Sequence, residues 1–305
     1  MDANRPSVES NLPNRREHEQ KVSNYLRKYL FPCAWSFTLP AGTGHETYFA
    51  EGRGHTFFVK IGASSPRYEI LASEGLTPEV VSAGRLEGGT PVLVQRYVAG
   101  RSPARRDYQA HLDRVARIVQ QVHHNSRLLD VLRAKSPDSY AYAALQALTQ
   151  LRDRWELYKP QAPDVAPFVD DSLNRIALMI PNLAGGGLVA SHNDICNANW
   201  ILTDDSQLYL VDLEQMAAND PACDLGVLLW WYYPPVMRQR FLEISGCVVD
   251  ENFRLRMHVN RAIHLLRILL PRMNSFDTFV PASFGASLTD FRAALAGEEN
   301  PQGYD

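Results

Sequence analysis

The chain has 305 residues, 45% of them hydrophobic and 21% charged, with a net charge of −3. That is the profile of an ordinary globular protein with enough material for one large domain or two lobes. It offers no global basic field for nucleic acid, no run of about 18 apolar residues that would span a membrane, and no CxxC pair among its four cysteines.

The opening "MDANRPSVESNLPNRREHEQ" is polar and lacks the apolar core of a signal peptide. With reduced, widely spaced thiols, this places the expected location in the cytoplasm. Residues 1 to 15 read as disordered or extended. "REHEQKVSNYLRKYLF" then shows helical spacing at Val22, Tyr25, Leu26, Tyr29 and Leu30. "WSFTLP", "TYFAEG" and "TFFVKI" are short aromatic and β-branched runs parted by glycine turns, the signature of an antiparallel meander. A short helix is expected over "SPRYEILASEG", followed by strand, Gly-Gly turn and strand in "EVVSAGRLEGGTPVLVQRYV". From Ala104 onward the pattern turns helical. "RRDYQAHLDRVARIVQQVHHNSRLLDVLR" reads as one long amphipathic segment, "SYAYAALQALTQLRDRWELY" as a second and "DDSLNRIALMIPNL" as a third, ending at Gly185 to Gly187. "ANWILT" and "LYLVDLE" flank a "DDSQ" turn as a hairpin, and helices resume at "PACDLGVLLWWYY". The predicted architecture is α+β with two lobes: a strand-rich one over residues 1–97 and a larger helical one over 98–305.

Chemistry concentrates in "SHNDICNANW". A loop Asp194 can accept a proton from a substrate hydroxyl, and Asn199, five residues on, can offer an amide oxygen to a metal. Asp and Asn also serve plain turns. The hairpin ending in Asp212 supplies a second oxygen ligand, and Mg²⁺ needs no more than one or two from a protein. Lys60 ends "TFFVK", where alternation puts it on one sheet face with Phe58 and puts Phe57, Val59 and Ile61 on the other. An inner-face ammonium needs a partner; Glu69 in the following helix is one candidate and bound phosphate another. Gly42 and Gly44 in "LPAGTGHETYF" would let backbone approach a phosphate closely. No GxxxxGK[ST] occurs, which excludes a Walker-type loop.

With "HNDICNAN", "LVDLEQ" and "NDPACDLG" in this order, the chain resembles the aminoglycoside phosphotransferase and choline kinase superfamily over about residues 35 to 235. The resemblance implies a protein-kinase-like fold and phosphoryl transfer from ATP to an alcohol. It makes Asp194 the catalytic base and Asn199 with Asp212 the Mg²⁺ ligands. Lys60 would contact the ATP phosphates and pair with Glu69, Glu74 being the second candidate. Backbone groups from Gln95 through Tyr97 to Val98 would receive adenine. His192 and Asp224 match positions that brace the loop. Two departures are Asn197, where the family often has Pro, and Leu213, where it has an aromatic residue.

For the acceptor, Asn193 and Glu214 resemble choline kinases more than aminoglycoside enzymes. The rings of "WWYY" suit a quaternary ammonium through cation–π contact, yet neighbours 100° apart on a helix cannot all line one pocket. Trp230 with Tyr233, or Trp231 with another element, remains the candidate; core packing is the alternative. The arginines from Arg254 to Arg272 either line an acceptor cleft or form a solvated face. A choline- or ethanolamine-type acceptor is thus expected first and an aminoglycoside or other sugar second. No nucleic-acid partner and no membrane span are expected. A non-catalytic nucleotide-binding scaffold predicts loss of Asp194, Asn199 or Asp212, and all three are present. A protein kinase predicts an activation segment before Pro221, and none is recognisable.

Overall fold

The structure, a computed structural model, describes residues 12–40, 47–133, 137–270 and 281–305. The chain divides into two compact units, one of Met1–Gly100 with Thr203–Glu214 and the other of Arg101–Leu202 with Gln215–Asp305. The boundary therefore falls at Gly100, and the segment carrying Asp212 belongs to the strand-rich unit.

The first unit begins with α1 (Leu12–Tyr29), so residues 12–15, expected to be irregular, are helical. Then come β1 (Ser36–Thr38), β2 (Thr47–Gly52), β3 (His55–Ile61), α2 (Ser65–Ser73), β4 (Val80–Arg85) and β5 (Pro91–Arg96). The five strands form one antiparallel sheet in the order β1-β2-β3-β5-β4. Register fixes its two faces, because Tyr48 opposes Val59 and Ala50 opposes Phe57, while Phe49 opposes Phe58 and Thr47 opposes Lys60. The first set joins Val22, Tyr25 and Leu26 of α1 in one buried core. The face carrying Lys60 is left for α2 and for the site. Glycine at 88 and 89, with φ of +93° and +86°, makes the turn between β4 and β5. The "DDSQ" turn is closed by Thr203 N donating to Gln207 O at 3.0 Å and Gln207 N donating to Thr203 Oγ1 at 2.8 Å. It leads into β8 (Leu208–Leu210), whose Leu210 N donates to Leu76 O at 2.8 Å.

In the second unit the first helical stretch is not one segment. It is α3 (Arg105–Ala110), α4 (Leu112–His123) and α5 (Ser126–Leu132). His111 leaves helical geometry at φ −108° and ψ 25°, and Asn125 restarts the chain as a cap, its side chain accepting from Leu128 N at 2.8 Å. A side-chain cap at Asn125 and a backbone break at His111, which makes no side-chain cap, thus cut a pattern whose apolar period runs straight through. α6 (Tyr140–Tyr158) and α7 (Ala166–Met179) follow as expected, α7 starting four residues before "DDSLN". β6 (Val189–Ser191) pairs antiparallel with β9 (Ala217–Asn219), and β7 (Trp200–Leu202) lies between them in the chain. The remainder is α8 (Ala222–Tyr232), α9 (Pro235–Ile244), α10 (Glu251–Leu269) and α11 (Pro281–Ala296). Their core joins Trp155, Leu173, Ile176, Trp230, Ile263, Leu266 and Phe291. α8 and α10 approach so closely at Gly226 that a Cβ there would sit 2.5 Å from Met257 O.

Among the described residues no helix is long and apolar enough to cross a membrane.

Candidate active site

In the strand-rich unit the site is built around Lys60, only 8% exposed. Its Nζ donates to Asp212 Oδ1 at 2.8 Å, Glu214 Oε1 at 2.7 Å and Tyr68 OH at 3.1 Å. The partner is therefore not Glu69 or Glu74, both of which are exposed. Residues of α2 are set about 100° apart, and the helix turns Tyr68 and Leu71 inward, which swings Glu69 out toward Glu79 and Val80–Ala83 of β4. Tyr68 OH donates to Glu214 Oε2 at 2.8 Å and accepts from Leu213 N at 3.1 Å. Arg67 Nη1 fastens the same segment through Leu213 O at 2.8 Å and Glu214 O at 3.0 Å. Asp212 stands at φ +57°, a left-handed position that Asp and Asn tolerate best among residues with a Cβ. Partial burial and the neighbouring Asp212 carboxyl push Glu214 above the usual carboxylate range, against the pull of Lys60 and Tyr68. Burial raises the Tyr68 phenol well above its ordinary value, so it serves as a neutral donor.

The Lys60 face also carries a surface that sequence reasoning missed. Phe49 and Phe58 meet with ring centroids at 5.6 Å, and Tyr97 meets Phe49 edge-on at 5.4 Å. Both phenylalanines are half-exposed and Tyr97 is 44% exposed. Three rings exposed on the same side as a buried lysine suit a flat heteroaromatic ligand. Alternation along the strand already puts Phe58 on the Lys60 face, and strand register adds Phe49, which opposes Phe58. Gln95 sits in β5 with its side chain donating to Pro78 O at 2.8 Å. The Arg96 and Tyr97 amides go to Glu79 O and Thr56 O, and Val98 follows them half-buried. Gly42 and Gly44 lie outside the described residues.

In the helical unit, Asp194 leaves β6 on a loop fixed from below by Asp224. This carboxylate, 1% exposed, accepts from His192 N at 2.8 Å, Asn193 N at 2.8 Å and His123 Nε2 at 3.0 Å. Burial pushes its carboxyl up, but His123 and the His192 amide more than offset that and hold it below the usual range. Asn193 takes φ +62° and is locked at both ends of its amide, accepting from Asn219 Nδ2 at 2.8 Å and donating to Gln215 O at 3.0 Å. Its role is to turn the loop. One residue later, the half-buried Asp194 is steadied by Asn199, whose Nδ2 donates to Asp194 O at 2.7 Å and Oδ2 at 3.2 Å. With its NH₂ spent there, Asn199 has its amide oxygen left for a cation. Asn197, where the family often has Pro, gives its amide to Tyr232 OH at 2.8 Å, a bond that Pro could not make. Cys196 is a poor nucleophile because burial and the Asp194 charge push its thiol up.

Trp230 and Tyr233 of the aromatic run are buried. Trp230 is 1% exposed, with Nε1 donating to Glu298 O at 2.8 Å, and Tyr233 is 0% exposed, with its hydroxyl on Tyr108 O at 3.0 Å. Both rings belong to the core and offer no face to a ligand. Trp231 is half-buried, 5.2 Å from Trp230 and under the Arg105 guanidinium. Of the arginines, Arg256 pairs with buried Asp220 and stacks 4.2 Å from the Tyr140 ring, Arg261 lies over Trp230, and Arg254 and Arg267 are exposed. Arg272 lies outside the described residues. No three His, Cys, Asp or Glu side chains form a metal-binding group among the described residues.

A five-stranded antiparallel unit holding a buried lysine, and a helical unit holding an Asp–Asn loop, define a protein-kinase-like fold. Solved structures agree on that fold over nearly the whole chain. Choline kinase LicA from Streptococcus pneumoniae matches with a TM-score of 0.64 at 17% identity, covering 92% of this chain and 99% of that one. AMP-bound spectinomycin phosphotransferase matches with a TM-score of 0.66 at 11% identity, covering 92% and 99%. A choline/ethanolamine kinase family protein from Mesorhizobium loti matches with a TM-score of 0.61 at 16% identity, covering 92% and 98%. Residues 38–254 match the model of the phosphotransferase enzyme family, and the chain belongs to that family. It is a phosphotransferase whose acceptor is a hydroxyl group.

Proposed function

We propose that this protein is an ATP- and Mg²⁺-dependent kinase that phosphorylates the hydroxyl of a small amino alcohol of the choline or ethanolamine type. The observation that carries the kinase reading is Lys60, a lysine 8% exposed whose Nζ lies 2.8 Å from the Asp212 carboxylate. Asp212 and Glu214 offset the cost of burying this ammonium. In this reading the same positive centre neutralises the ATP phosphates.

Adenine is received by the backbone of Gln95 to Val98 and by the ring surface of Phe49, Phe58 and Tyr97. Asp194 orients the acceptor hydroxyl and takes its proton as the γ-phosphoryl group moves in line from ATP to the oxygen. Asn199 holds the Asp194 carboxylate in place through its Nδ2. Asn199, by its amide oxygen, and Asp212, by its carboxylate, would hold Mg²⁺, which when bound supplies charge neutralisation on the transferring phosphate. His192 and Asp224 act at one remove by fixing the loop backbone. Glu69 has no part in this scheme.

The choice of acceptor rests on the "HND" and "DLEQ" patterns. Burial of Trp230 and Tyr233 removes the ring pair that would have caged a quaternary ammonium. An aminoglycoside or another sugar is the second acceptor class. Mg²⁺-dependent ADP release across choline, ethanolamine, several aminoglycosides and simple sugars decides between them. Release with the two amino alcohols supports the proposal, and release only with aminoglycosides transfers it to the second class. ATP binding with no release for any acceptor would leave a nucleotide-binding scaffold.

A further inference from the structure

We propose that Tyr68 and Glu214 together position Lys60 for the nucleotide phosphates, while Asp212 is the acceptor that gives way when a phosphate arrives. The inference rests on the kinase reading above and assigns residues that the sequence patterns gave to other tasks or to none.

A lysine ammonium has three N–H donors, and Lys60 spends one each on Asp212, Glu214 and Tyr68. A phosphate oxygen can enter only by displacing one of the three. They are not equivalent. Tyr68 is 1% exposed and its hydroxyl is saturated, donating to Glu214 while accepting from Leu213 N and Lys60. Glu214 uses Oε1 for Lys60 and Oε2 for Tyr68, which closes a triangle of three mutual hydrogen bonds. Arg67 pins the backbone of that corner. Asp212 and Glu214 each meet Lys60 through one oxygen, and the two carboxyls lie against each other; the difference is exposure, 54% for the Asp212 side chain against 38% for Glu214. Asp212 is the outermost of the three.

The helix that a kinase-like pattern would use to anchor the lysine with an acid contributes a phenol in this chain, and the anchoring carboxylate comes from the segment after β8. Tyr68 is a positioning residue: it holds the ammonium and the Leu213 amide in one geometry and touches no substrate.

The test uses the full chain and two probes, Mg·ATP and adenosine, titrated calorimetrically against wild type, Tyr68→Phe, Glu214→Gln and Glu69→Gln, with thermal melting of each. Loss of a hydrogen bond to a charged group weakens binding about tenfold to a hundredfold. Tyr68→Phe and Glu214→Gln should each weaken Mg·ATP by that much and leave adenosine within about twofold, because only the phosphate grip is lost. Glu69→Gln should change neither. Three results would overturn the inference: wild-type Mg·ATP affinity in Tyr68→Phe, equal weakening of both probes, or a loss specific to Mg·ATP in Glu69→Gln. A wild-type chain that binds adenosine no worse than Mg·ATP would instead remove the phosphate role of Lys60 itself, before any variant is compared.

Discussion

Replacing Asp224 by Asn changes one atom in a place where three donors converge. The carboxylate is 1% exposed and accepts from the amides of His192 and Asn193 and from His123 Nε2, at 2.8, 2.8 and 3.0 Å. An amide side chain keeps one oxygen and turns its NH₂ toward a donor. If the oxygen stays on the His192 and His123 side, the Asn193 amide loses its acceptor; in the other orientation two donors do. Each buried donor left unmet costs about 1–3 kcal/mol, and the first orientation strands only one, so Asp224→Asn should lose about 1–3 kcal/mol of unfolding free energy. The loop that loses its support carries Asp194 one residue beyond Asn193, so kcat should fall as well, while adenosine affinity, which the proposed function assigns to the other unit, should hold. Guanidinium unfolding gives the first quantity, and steady-state kinetics with nucleotide titration give the others. Unfolding free energy within about 0.5 kcal/mol of wild type, together with an unchanged kcat, would refute the bracing role.

Two further predictions concern the helical unit. Trp230→Phe should cost about 1–3 kcal/mol through the lost bond to Glu298 O and the space left in the core, with the acceptor KM unchanged; a raised KM at unchanged stability would return the ring to the acceptor site. His264 is buried and its pKa is lowered to about 4, chiefly by burial and then by Arg267, with Asp194 and Asp224 acting the other way. The folded state therefore binds fewer protons than the unfolded state between that value and the ordinary 6.5. Stability from this group is complete above the window and lost as pH falls through it, by on the order of 3 kcal/mol. Unfolding at pH near 7.5 and near 4.5 should differ less in His264→Gln than in wild type, and equal differences would contradict the assignment.

What was legible in the sequence follows the range of the forces involved. β2, β3, β4 and β5 are set by alternation and glycine turns, which are local, so their positions and the face of Lys60 could be read directly. The pairing of Lys60 could not. It depends on how α2 is rotated over the sheet, and a single 100° step decides whether Tyr68 or Glu69 faces the ammonium. The same limit applies to "WWYY": four apolar rings look alike in sequence whether they face a ligand or Glu298 and Tyr108. The stretch after Ala104 reads as one helix because apolar periodicity survives the breaks at His111 and Asn125, of which only the second carries a side-chain cap. Asn193, whose type marks the acceptor class in the sequence pattern, also holds a left-handed turn at φ +62°, which the sequence does not display.

The most direct test of the account follows the phosphoryl group itself. Transfer from γ-labelled ATP to the hydroxyl of choline or ethanolamine should be measured in a single turnover, with wild type and Asp194→Ala side by side and Mg·ATP binding confirmed in both. General-base contributions run to about 10²–10⁴-fold. The account predicts labelled phosphoester from the wild type and a rate lower by about that factor in the variant, with nucleotide affinity retained. A variant that transfers label at the wild-type rate would contradict it.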